Sequence, residues 1–378
     1  MKLLHLSDLH LGKRVNEFPM LEDQEYILRE ILEIVDREKP DAVLIAGDVY
    51  DKSVPPAEAI TLLDWFLSEL AGRALSVFVI SGNHDSAERL AFASSLLEKS
   101  RVYISPAYHG DVRPVTLEDE FGKVDFYLLP FVKPVHVRAC FPEEEIDSYT
   151  EAVDCAVRHM NVDRTRRNVL VTHQFVTGAQ RCESEELSVG GSDNVDVHVF
   201  AEFDYVALGH LHGPQSLDGD RVRYCGTPLK YSFSEVSHEK SVTIVELGEK
   251  GDLGVKAIPL TPKRDLLDLK GTYDQLAARD FYRGLDQNAY IRVTLTDEND
   301  VPDAMGKLRL IYPNLMVLGY DNARTRGGGD MAEAEAVARL SPMELFAAFY
   351  EQQNGAPLSQ EQTEFLTDLV EKIWEVEA

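Results

Sequence analysis

The stretch DYVALGHLHGP at residues 204–214 decides what this chain can be. Its first half is an apolar run typical of a buried strand, and His210 and His212 follow where that strand would end. Open α/β sheets bind their ligands beyond the carboxyl ends of their strands, and neutral imidazole is the commonest metal ligand in proteins. The stretch therefore predicts a strand that presents two metal ligands, if other strands end beside it.

Four more clusters of metal-ligating side chains follow predicted strands upstream. The strands are short apolar runs at 2–6, 42–46, 77–80 and 169–171, and helical patterns occupy 22–38, 56–71 and 86–99. Strands that alternate with helices predict an α/β sheet with parallel members, so the strand ends meet along one edge. The clusters are Asp8 with His10, then Asp48, then Asn83 with His84, and finally His173.

Each cluster alone has an ordinary structural interpretation. An isolated Asp-x-His is usually incidental, Gly-Asn-His-Asp can cap the following helix, and His-x-His can be a hydrogen-bonded pair at a strand end. Five clusters in order, each after a strand, instead favour a metal site. Mixed carboxylate, amide and imidazole donors suit Mn, Fe or Zn, and a pair of such ions serves phosphoryl hydrolysis. Asp48 is the predicted bridge between them, because one carboxylate has two oxygens.

The rest of the chain predicts further domains. Strands at 112–117 and 124–129, a helix at 148–161 and a long polar loop at 174–197 come before the decisive stretch, and strands at 222–225, 242–247 and 253–259 suggest a closing antiparallel sheet. After Pro262 the pattern restarts as a small β-α-β-α-β domain, with strands at 266–269, 289–295 and 315–319. Three glycines at 327–329 indicate a linker, and two capped helices are expected beyond residue 341.

Composition limits the function classes. The 378 residues suffice for two or three domains, and no signal peptide or membrane span is expected. Four scattered cysteines fit a reducing cytosol. The formal net charge of −27 argues against a broad basic surface for nucleic acid, although a metal site needs carboxylates and its cations offset their charge.

The motifs together resemble the calcineurin-like metallophosphoesterases over roughly the first 260 residues. These motifs are SDLH at 7–10, GDVYD at 47–51, GNHD at 82–85, TH at 172–173 and GHLH at 209–212. More narrowly, LHLSDLHLG at 4–12 and GTPLKYSFS at 226–234 are similar to the double-strand-break repair nuclease family. Protein phosphatases of the superfamily have an arginine soon after the second motif, whereas this chain has Lys52 and Ser53.

The resemblance implies an α/β (α+β) fold, a β-sandwich flanked by helices. It further implies a phosphoesterase domain at 1–262, a capping domain at 263–323, a linker at 324–340 and a helix-loop-helix at 341–378 that binds a partner. Two divalent ions, usually Mn²⁺, are expected. The first would take Asp8, His10, Asp48 and His212, and the second Asp48, Asn83, His173 and His210.

The same resemblance assigns roles beside the metals. His84 would face the scissile phosphate, and Asp85 would orient His84 or cap the next helix. The implied activity is an exonuclease and endonuclease on DNA ends or hairpins, in DNA repair, recombination and replication. Candidate DNA contacts are Lys13, Arg14, Arg181, Lys263 and Arg264.

The family resemblance also implies partners. The chain would form a homodimer through helices at 56–71 and 86–99, and residues 341–376 would grip an ABC-type ATPase with a long coiled coil. A cytoplasmic, nucleoid-associated location is expected. Two alternatives remain open: a phosphodiesterase for small molecules or nucleotides, which shares every metal ligand, and a metal-dead scaffold, which the complete ligand set disfavours.

Overall fold

The computed structural model describes residues 1–180, 182, 193–326 and the short stretches 346–347, 350, 357–360, 362–363 and 365–366. In chain order, the strands are β1 (Lys2–Leu6), β2 (Arg14–Val15), β3 (Phe18–Pro19), β4 (Ala42–Ala46), β5 (Ser76–Ile80), β6 (Val102–Ile104), β7 (Val115–Asp119), β8 (Gly122–Leu129), β9 (Arg167–His173), β10 (Phe175–Val176), β11 (Asn194–Val195), β12 (Tyr205–Gly209), β13 (Gln215–Leu217), β14 (Val222–Tyr224), β15 (Ser241–Leu247), β16 (Leu253–Pro259), β17 (Leu266–Gly271), β18 (Tyr290–Leu295) and β19 (Leu315–Tyr320).

The helices lie between and after these strands. They are α1 (Leu21–Glu38), α2 (Ala57–Gly72), α3 (Ala87–Leu90), α4 (Ser94–Leu97), α5 (Pro134–Cys140), α6 (Tyr149–His159), α7 (Tyr273–Leu276), α8 (Arg279–Tyr282), α9 (Ala304–Arg309) and α10 (Ala323–Arg326), with 3-10 turns at Glu98–Ser100, Val197–Phe200 and Phe233–Glu235. In the described part of the chain, no helix combines the length and the apolar character that crossing a bilayer requires.

Two six-stranded sheets form the main domain. The first has the order β16-β15-β1-β4-β5-β6, with β1, β4, β5 and β6 parallel and β15 antiparallel to β1. The second has the order β13-β14-β12-β9-β8-β7, with β8, β9, β12 and β14 parallel. The predicted ligands lie at or shortly after the ends of strands β1, β4 and β5 of the first sheet and β9 and β12 of the second. Because the central strands of each sheet are parallel, these strands all end at one edge of the domain.

The sheets pack face to face as a sandwich. Residues from both inner faces share one buried cluster, in which the rings of Phe78 and Phe126 stack at 4.5 Å. A second cluster lies between the first sheet and helices α1 and α2, and a third lies between the second sheet and α6. The central strands are therefore buried on both faces, which explains their nearly continuous apolar sequences.

A small domain follows the sandwich. Strands β17, β18 and β19 are parallel, and α7, α8 and α9 lie in the connections between them around a core of their own. Helix α7 begins at the predicted capping box, in which the side chains of Thr272 and Gln275 bond each other's backbone N–H. The predicted β-α-β-α-β pattern is thus present, although the helix expected at 302–311 is shorter in the structure, where α9 spans Ala304–Arg309.

Two predicted elements differ from the structure, and two observed elements were not predicted. The helix expected at 86–99 breaks into α3, α4 and a 3-10 turn, because Ala93 adopts a left-handed backbone with φ 62°. Strand β14 was expected to pair with the two strands after it, but it lies beside β12 in the second sheet. Helix α5 and strand β6 were not predicted. The predicted linker begins at α10, and most of the predicted helix-loop-helix at 341–378 lies outside the described residues.

Candidate metal centre

The loops after β1, β4 and β12 are joined by backbone hydrogen bonds. Asp8 N donates to Gly47 O at 3.0 Å, and His10 N donates to Asp48 O at 2.9 Å. His210 N donates to the Asp8 carboxylate at 2.9 Å, across the two sheets. These bonds bring together ligands that are far apart in sequence.

Four of the predicted ligand residues have an unusual backbone. Asp8, His10 and Asp48 are left-handed, with φ of 53°, 44° and 47°, and His210 has φ 105°. Such conformations are uncommon for residues other than glycine and cost free energy, so they persist where the surrounding structure imposes them. Their concentration at one edge of the sandwich marks a functional site.

The predicted ligands of the second metal converge on one point. Asn83 Oδ1 lies 3.0 Å from both His173 Nε2 and His210 Nδ1, and His173 Nε2 lies 3.4 Å from Asp48 Oδ2. His173 Nδ1 is 2.9 Å from Ala46 O, an atom that can only accept, so Nδ1 carries the proton and Nε2 offers a lone pair. Lone pairs crowded in this way fit a shared cation.

The predicted ligands of the first metal include buried atoms that lack a hydrogen bond. Within the described residues, Asp8 Oδ2 and both ring nitrogens of His10 have no hydrogen-bond partner, although both side chains are buried. His10 Nε2 lies 3.7 Å from Asp48 Oδ2. Buried polar atoms are normally satisfied, so these exceptions fit a cation that Asp8, His10 and Asp48 would hold. Asp48 faces both sets, as a bridging ligand would.

The pKa shifts of the buried side chains in this cluster reflect burial and strong mutual charge interactions. Burial and the Asp48 carboxylate raise the pKa of Asp8 to about 6. Burial alone would lower the pKa of His173, but the charge of Asp48 raises it to about 9. Conversely, burial would raise the pKa of Asp48, and the nearby His173, His10 and His84 hold it well below its usual range. Burial also lowers the pKa of His10.

Glycines leave room for this close packing. A Cβ on Gly209 would overlap Ala46 O and lie 2.7 Å from His173 Nδ1. A Cβ on Gly82 would overlap the Asp48 carboxylate. The glycine in each of the motifs GHLH and GNHD is therefore a steric requirement of the site.

His84 lies at the rim, half-buried, with a fixed ring. Its backbone N–H donates to Asp48 Oδ1 at 3.0 Å, and its ring packs edge-on against His10 with centroids 4.9 Å apart. His84 Nδ1 is 3.1 Å from Asp51 O, which can only accept, so Nδ1 carries a proton and Nε2 is the nitrogen that can exchange one. Nε2 lies 3.9 Å from Asp48 Oδ2.

Asp85 has a different position from the one expected. Its carboxylate accepts from the backbone N–H groups of Gly82, Val49 and Tyr50 at 2.9–3.0 Å. Within the described residues, its recorded side-chain hydrogen bonds go to these backbone groups rather than to His84 or to the helix that follows. Asp85 therefore ties the loop after β5 to the loop after β4. We interpret it as a positioning residue for the Asp48 loop.

Two residues that were not predicted support the site. Glu235 is fully buried, and its Oε1 lies 3.1 Å from His212 Nδ1. Gln24 on α1 donates to His10 O at 2.7 Å and to the Tyr231 hydroxyl at 3.0 Å. Glu235 is an acidic residue directly after the motif at 226–234, and this position was the signal in the sequence that could have pointed to it.

The candidate DNA contacts are mostly engaged within the chain. Lys13 pairs with Asp51 at 2.6 Å, next to the metal ligands. Arg14 donates to Glu17 O, Lys263 pairs with Glu22, and Arg264 pairs with Glu22 and the buried Asp23. Arg181 lies outside the described residues. The structure thus leaves these DNA roles as predictions.

A further group of potential ligands lies on α6 and in the loop before it. Cys155, His159 and Glu144 could bring one ligand atom each within 4.8 Å. However, His159 Nδ1 is 2.8 Å from Cys155 O, and Glu144 pairs with Arg158 at 2.5 Å. These groups are satisfied by one another, so they do not fit a cation as the strand-end cluster does.

The sandwich and the cluster of seven predicted ligands at its edge fit a metallophosphoesterase. Residues 1–214 match the family model for calcineurin-like phosphoesterases, and residues 262–354 match one described as the type 5 capsule protein repressor C-terminal domain. The fold predicted from the sequence is thereby confirmed.

Within that class, the chain belongs to the family of SbcD, which is a subunit of the nuclease SbcCD. It is 33% identical to SbcD of Staphylococcus epidermidis over 377 residues, or 98% of each chain. It is 37% identical to SbcD of Staphylococcus saprophyticus over 322 residues, or 84% of each chain. The narrower resemblance predicted from the sequence is confirmed. A dimetal phosphatase from Danio rerio has a TM-score of only 0.41 at 13% identity, over 69% of this chain and 98% of that one, and adds nothing.

Proposed function

We propose that this chain is a metal-dependent DNA nuclease that works with an SbcC-type ABC ATPase. The observation that carries the proposal is the convergence of Asn83, His173 and His210 on one point beside Asp48, with Asp8 and His10 on its other side. The relatives are named as nuclease subunits and align along nearly the whole chain, which supports a nucleic-acid substrate.

The proposed metal assignment is the one given by the motifs. Asp8, His10, Asp48 and His212 would hold the first ion, and Asp48, Asn83, His173 and His210 the second. The donor set suits Mn, Fe or Zn, and the family resemblance favours Mn²⁺ among them. When bound, two such ions activate water and neutralise charge on the phosphoryl oxygens.

The protein's own side chains would bind the phosphate, transfer a proton and hold the loops in place. The Asp51 carbonyl keeps His84 Nδ1 protonated, so Nε2 points its exchangeable position toward the cluster. With both ring nitrogens protonated, His84 would stabilise charge on a phosphoryl oxygen or give its Nε2 proton to the leaving oxygen, which leaves the neutral ring with its proton on Nδ1. Asp85 would hold the loops of Asp48 and His84 at a fixed separation, because it bonds the backbone of both.

The partners and the domain roles extend the proposal. We infer a homodimer, a capping domain at 263–323 that guides DNA, and a segment at 341–378 that binds the coiled coil of the ATPase. Exonuclease and endonuclease activity on DNA ends or hairpins, and association with the nucleoid in the cytoplasm, belong to the same proposal. Because the chain carries a net charge of −27, DNA binding without the ATPase should be weak.

Digestion of DNA tests the proposal directly. Linear duplex, hairpin and plasmid DNA would be incubated with Mn²⁺, with and without the ATPase, beside a chromogenic phosphodiester. We expect DNA cleavage that requires Mn²⁺ and increases with the ATPase. Hydrolysis of the small diester without any DNA cleavage would identify a small-molecule phosphodiesterase instead, and absence of both would identify a scaffold.

A further inference from the structure

The two predicted metal sites are braced by different kinds of group. His173 in the second set is held by a backbone carbonyl, Ala46 O at 2.9 Å, which is part of strand β4. His212 in the first set is held by a side chain, Glu235 Oε1 at 3.1 Å. An ionised carboxylate has no proton to donate, so it can only accept a hydrogen bond. His212 Nδ1 therefore donates to Glu235, and Nε2 is the ring nitrogen that would bind the cation.

Glu235 is itself held in place by a buried ion pair. Its Oε2 lies 2.6 Å from Lys240 Nζ, and both side chains are almost wholly buried. Lys240 Nζ also donates to His212 O at 2.9 Å and to Thr227 Oγ1 at 2.7 Å. Lys240 therefore holds the backbone of His212 as well as the carboxylate that orients its ring.

This arrangement joins the two sheets behind the first metal set. Lys240 directly precedes β15 of the first sheet, and its carbonyl accepts from Leu260 N beyond β16. His212 follows β12 of the second sheet. The ion pair therefore couples the position of His212 to the opposite sheet, which also carries Asp8 and His10.

We propose that Glu235, fixed by Lys240, is the positioning residue that gives the first metal site its affinity, and that the second site does not depend on it. The inference rests on the proposed two-metal function. Groups that orient a ligating histidine typically contribute 10–100-fold in metal affinity. Loss of the acceptor at Glu235 should therefore weaken the first ion by about 10–100-fold and leave the second unchanged.

Two double variants separate the acceptor from the ion pair. Glu235→Leu with Lys240→Met removes both charges and the acceptor, and apolar replacement of a whole buried pair is often tolerated by the fold. Glu235→Gln with Lys240→Met also removes both charges but keeps an oxygen that can accept from His212. The variants thus differ in one hydrogen-bond acceptor. Tyr205→Phe, which removes a buried hydrogen bond to His5, is the control for general destabilisation.

Calorimetric titration with Mn²⁺ and electron paramagnetic resonance give the readout in the full chain. The wild type and Tyr205→Phe should bind two ions with a spin-coupled spectrum. The Gln variant, which lacks Lys240 but keeps the acceptor, should also bind two ions and should lose much less affinity at the first site than the Leu variant. The Leu variant should bind one ion with unchanged affinity and the other about 10–100-fold more weakly, with the spectrum of isolated Mn²⁺. Wild-type affinity for both ions in the Leu variant, or equal loss in the Gln variant, would overturn the inference.

A measurement on the wild type covers the case in which the Leu variant does not fold. In ¹⁵N-histidine-labelled, metal-free protein, the His212 ring should show its proton on Nδ1. A proton on Nε2 alone would contradict the role of Glu235. If the wild type binds fewer than two ions, the proposed two-metal function fails instead, and that result is distinct from either outcome above.

Discussion

At the scale of single residues, the geometry separates the groups that would bind cations from the one that would handle a proton. His84 has its Nδ1 committed to Asp51 O and lies beside the ligands. Asp8, His10 and Asp48 are buried and held on left-handed backbone. This division predicts that cleavage can be lost while metal binding is retained.

Replacement of His84 tests that division. His84→Ala should lower kcat for DNA cleavage by about 10²–10⁴-fold, the usual contribution of a positioned acid or base. The number of Mn²⁺ ions bound per chain should stay at two, because the backbone N–H that bonds Asp48 remains. Metal content and single-turnover cleavage measured on the same sample check both points. Loss of an ion from the variant would show that His84 is a ligand.

A single methyl group should be enough to disrupt the site. In Gly209→Ala, the new Cβ meets Ala46 O and His173 Nδ1, and a backbone oxygen cannot move aside cheaply. We expect loss of the second ion and an appreciable drop in the free energy of unfolding. Gly72→Ala is the matched control, since a Cβ there has no atom within 4 Å. Equal metal binding in the two variants would disprove the steric argument.

The sequence predicted which side chains cluster at the strand ends better than it predicted the residues that hold them in place. Asp8, Asp48 and His173 were found because each follows an apolar strand, and strand ends of parallel sheets converge. Gln24 was missed because it acts through tertiary contacts that no local pattern records. Glu235 adjoins the motif at 226–234, but only the fold shows that it faces His212. The Asp51 carbonyl was missed for the same reason, since any residue has one.

At the scale of elements, helix α1 connects the capping domain to the metal loops. Asp23 is buried and accepts from Arg264 at 2.8–2.9 Å and from the Tyr290 hydroxyl at 2.8 Å, both from the small domain. The next residue, Gln24, holds His10 O. Consecutive residues of one helix therefore contact the small domain and a predicted metal ligand.

The joint at Asp23 should be important for stability. Asp23→Asn leaves Arg264 without its buried partner, and we expect a loss of about 3 kcal/mol in the free energy of unfolding. Glu22→Gln is the matched control: it removes a more exposed partner of the same arginine, and because solvent screens exposed pairs its effect should be much smaller. Urea unfolding and hydrogen exchange in β17 and β18 would measure both. Equal effects would show that burial at the joint is unimportant.

A second ion pair should make the sandwich sensitive to acid. Burial alone would raise the pKa of Asp119, but its pairing with Arg167 holds it well below the usual range. A lowered folded-state pKa contributes stability above the unfolded pKa of about 3.9, and this contribution disappears as the pH falls. Asp119→Asn should therefore cost about 2 kcal/mol at pH 7. By urea unfolding, this cost should begin to shrink only below about pH 4 and should fall away as the pH approaches the lowered folded-state pKa. A pH-independent difference would contradict the assignment.

The predicted elements differ from the structure where backbone conformation and strand pairing, rather than the apolar pattern, determine the local structure. The helix expected at 86–99 contains no proline or glycine, yet it breaks at Ala93. Strand β14 has an ordinary apolar alternation, and only its pairing with β12 shows which sheet it joins. Periodicity identifies elements well, but it carries little information on strand partners.

At the scale of the whole molecule, the catalytic and partner-binding parts are proposed to be separable. Deletion of 330–378 should spare Mn²⁺-dependent hydrolysis of a small phosphodiester and abolish co-purification with the ATPase. The described core from 1 to 326 contains all seven proposed ligands together with Glu235, which is why hydrolysis should survive. Retained binding of the ATPase by the shortened chain would refute the role of that segment.

The spread of the ligands along the chain has a consequence for synthesis. Asp8 leaves the ribosome early, while His212 comes about 10–40 s later at the usual 5–20 residues per second. Strands β1, β4 and β5 can pair in the meantime, but a nascent chain without His173, His210 and His212 lacks one of the four proposed ligands of the first ion and two of the four of the second. A polypeptide that has not yet reached His212 should therefore lack hydrolytic capacity, which arises only when both sheets have closed on one another.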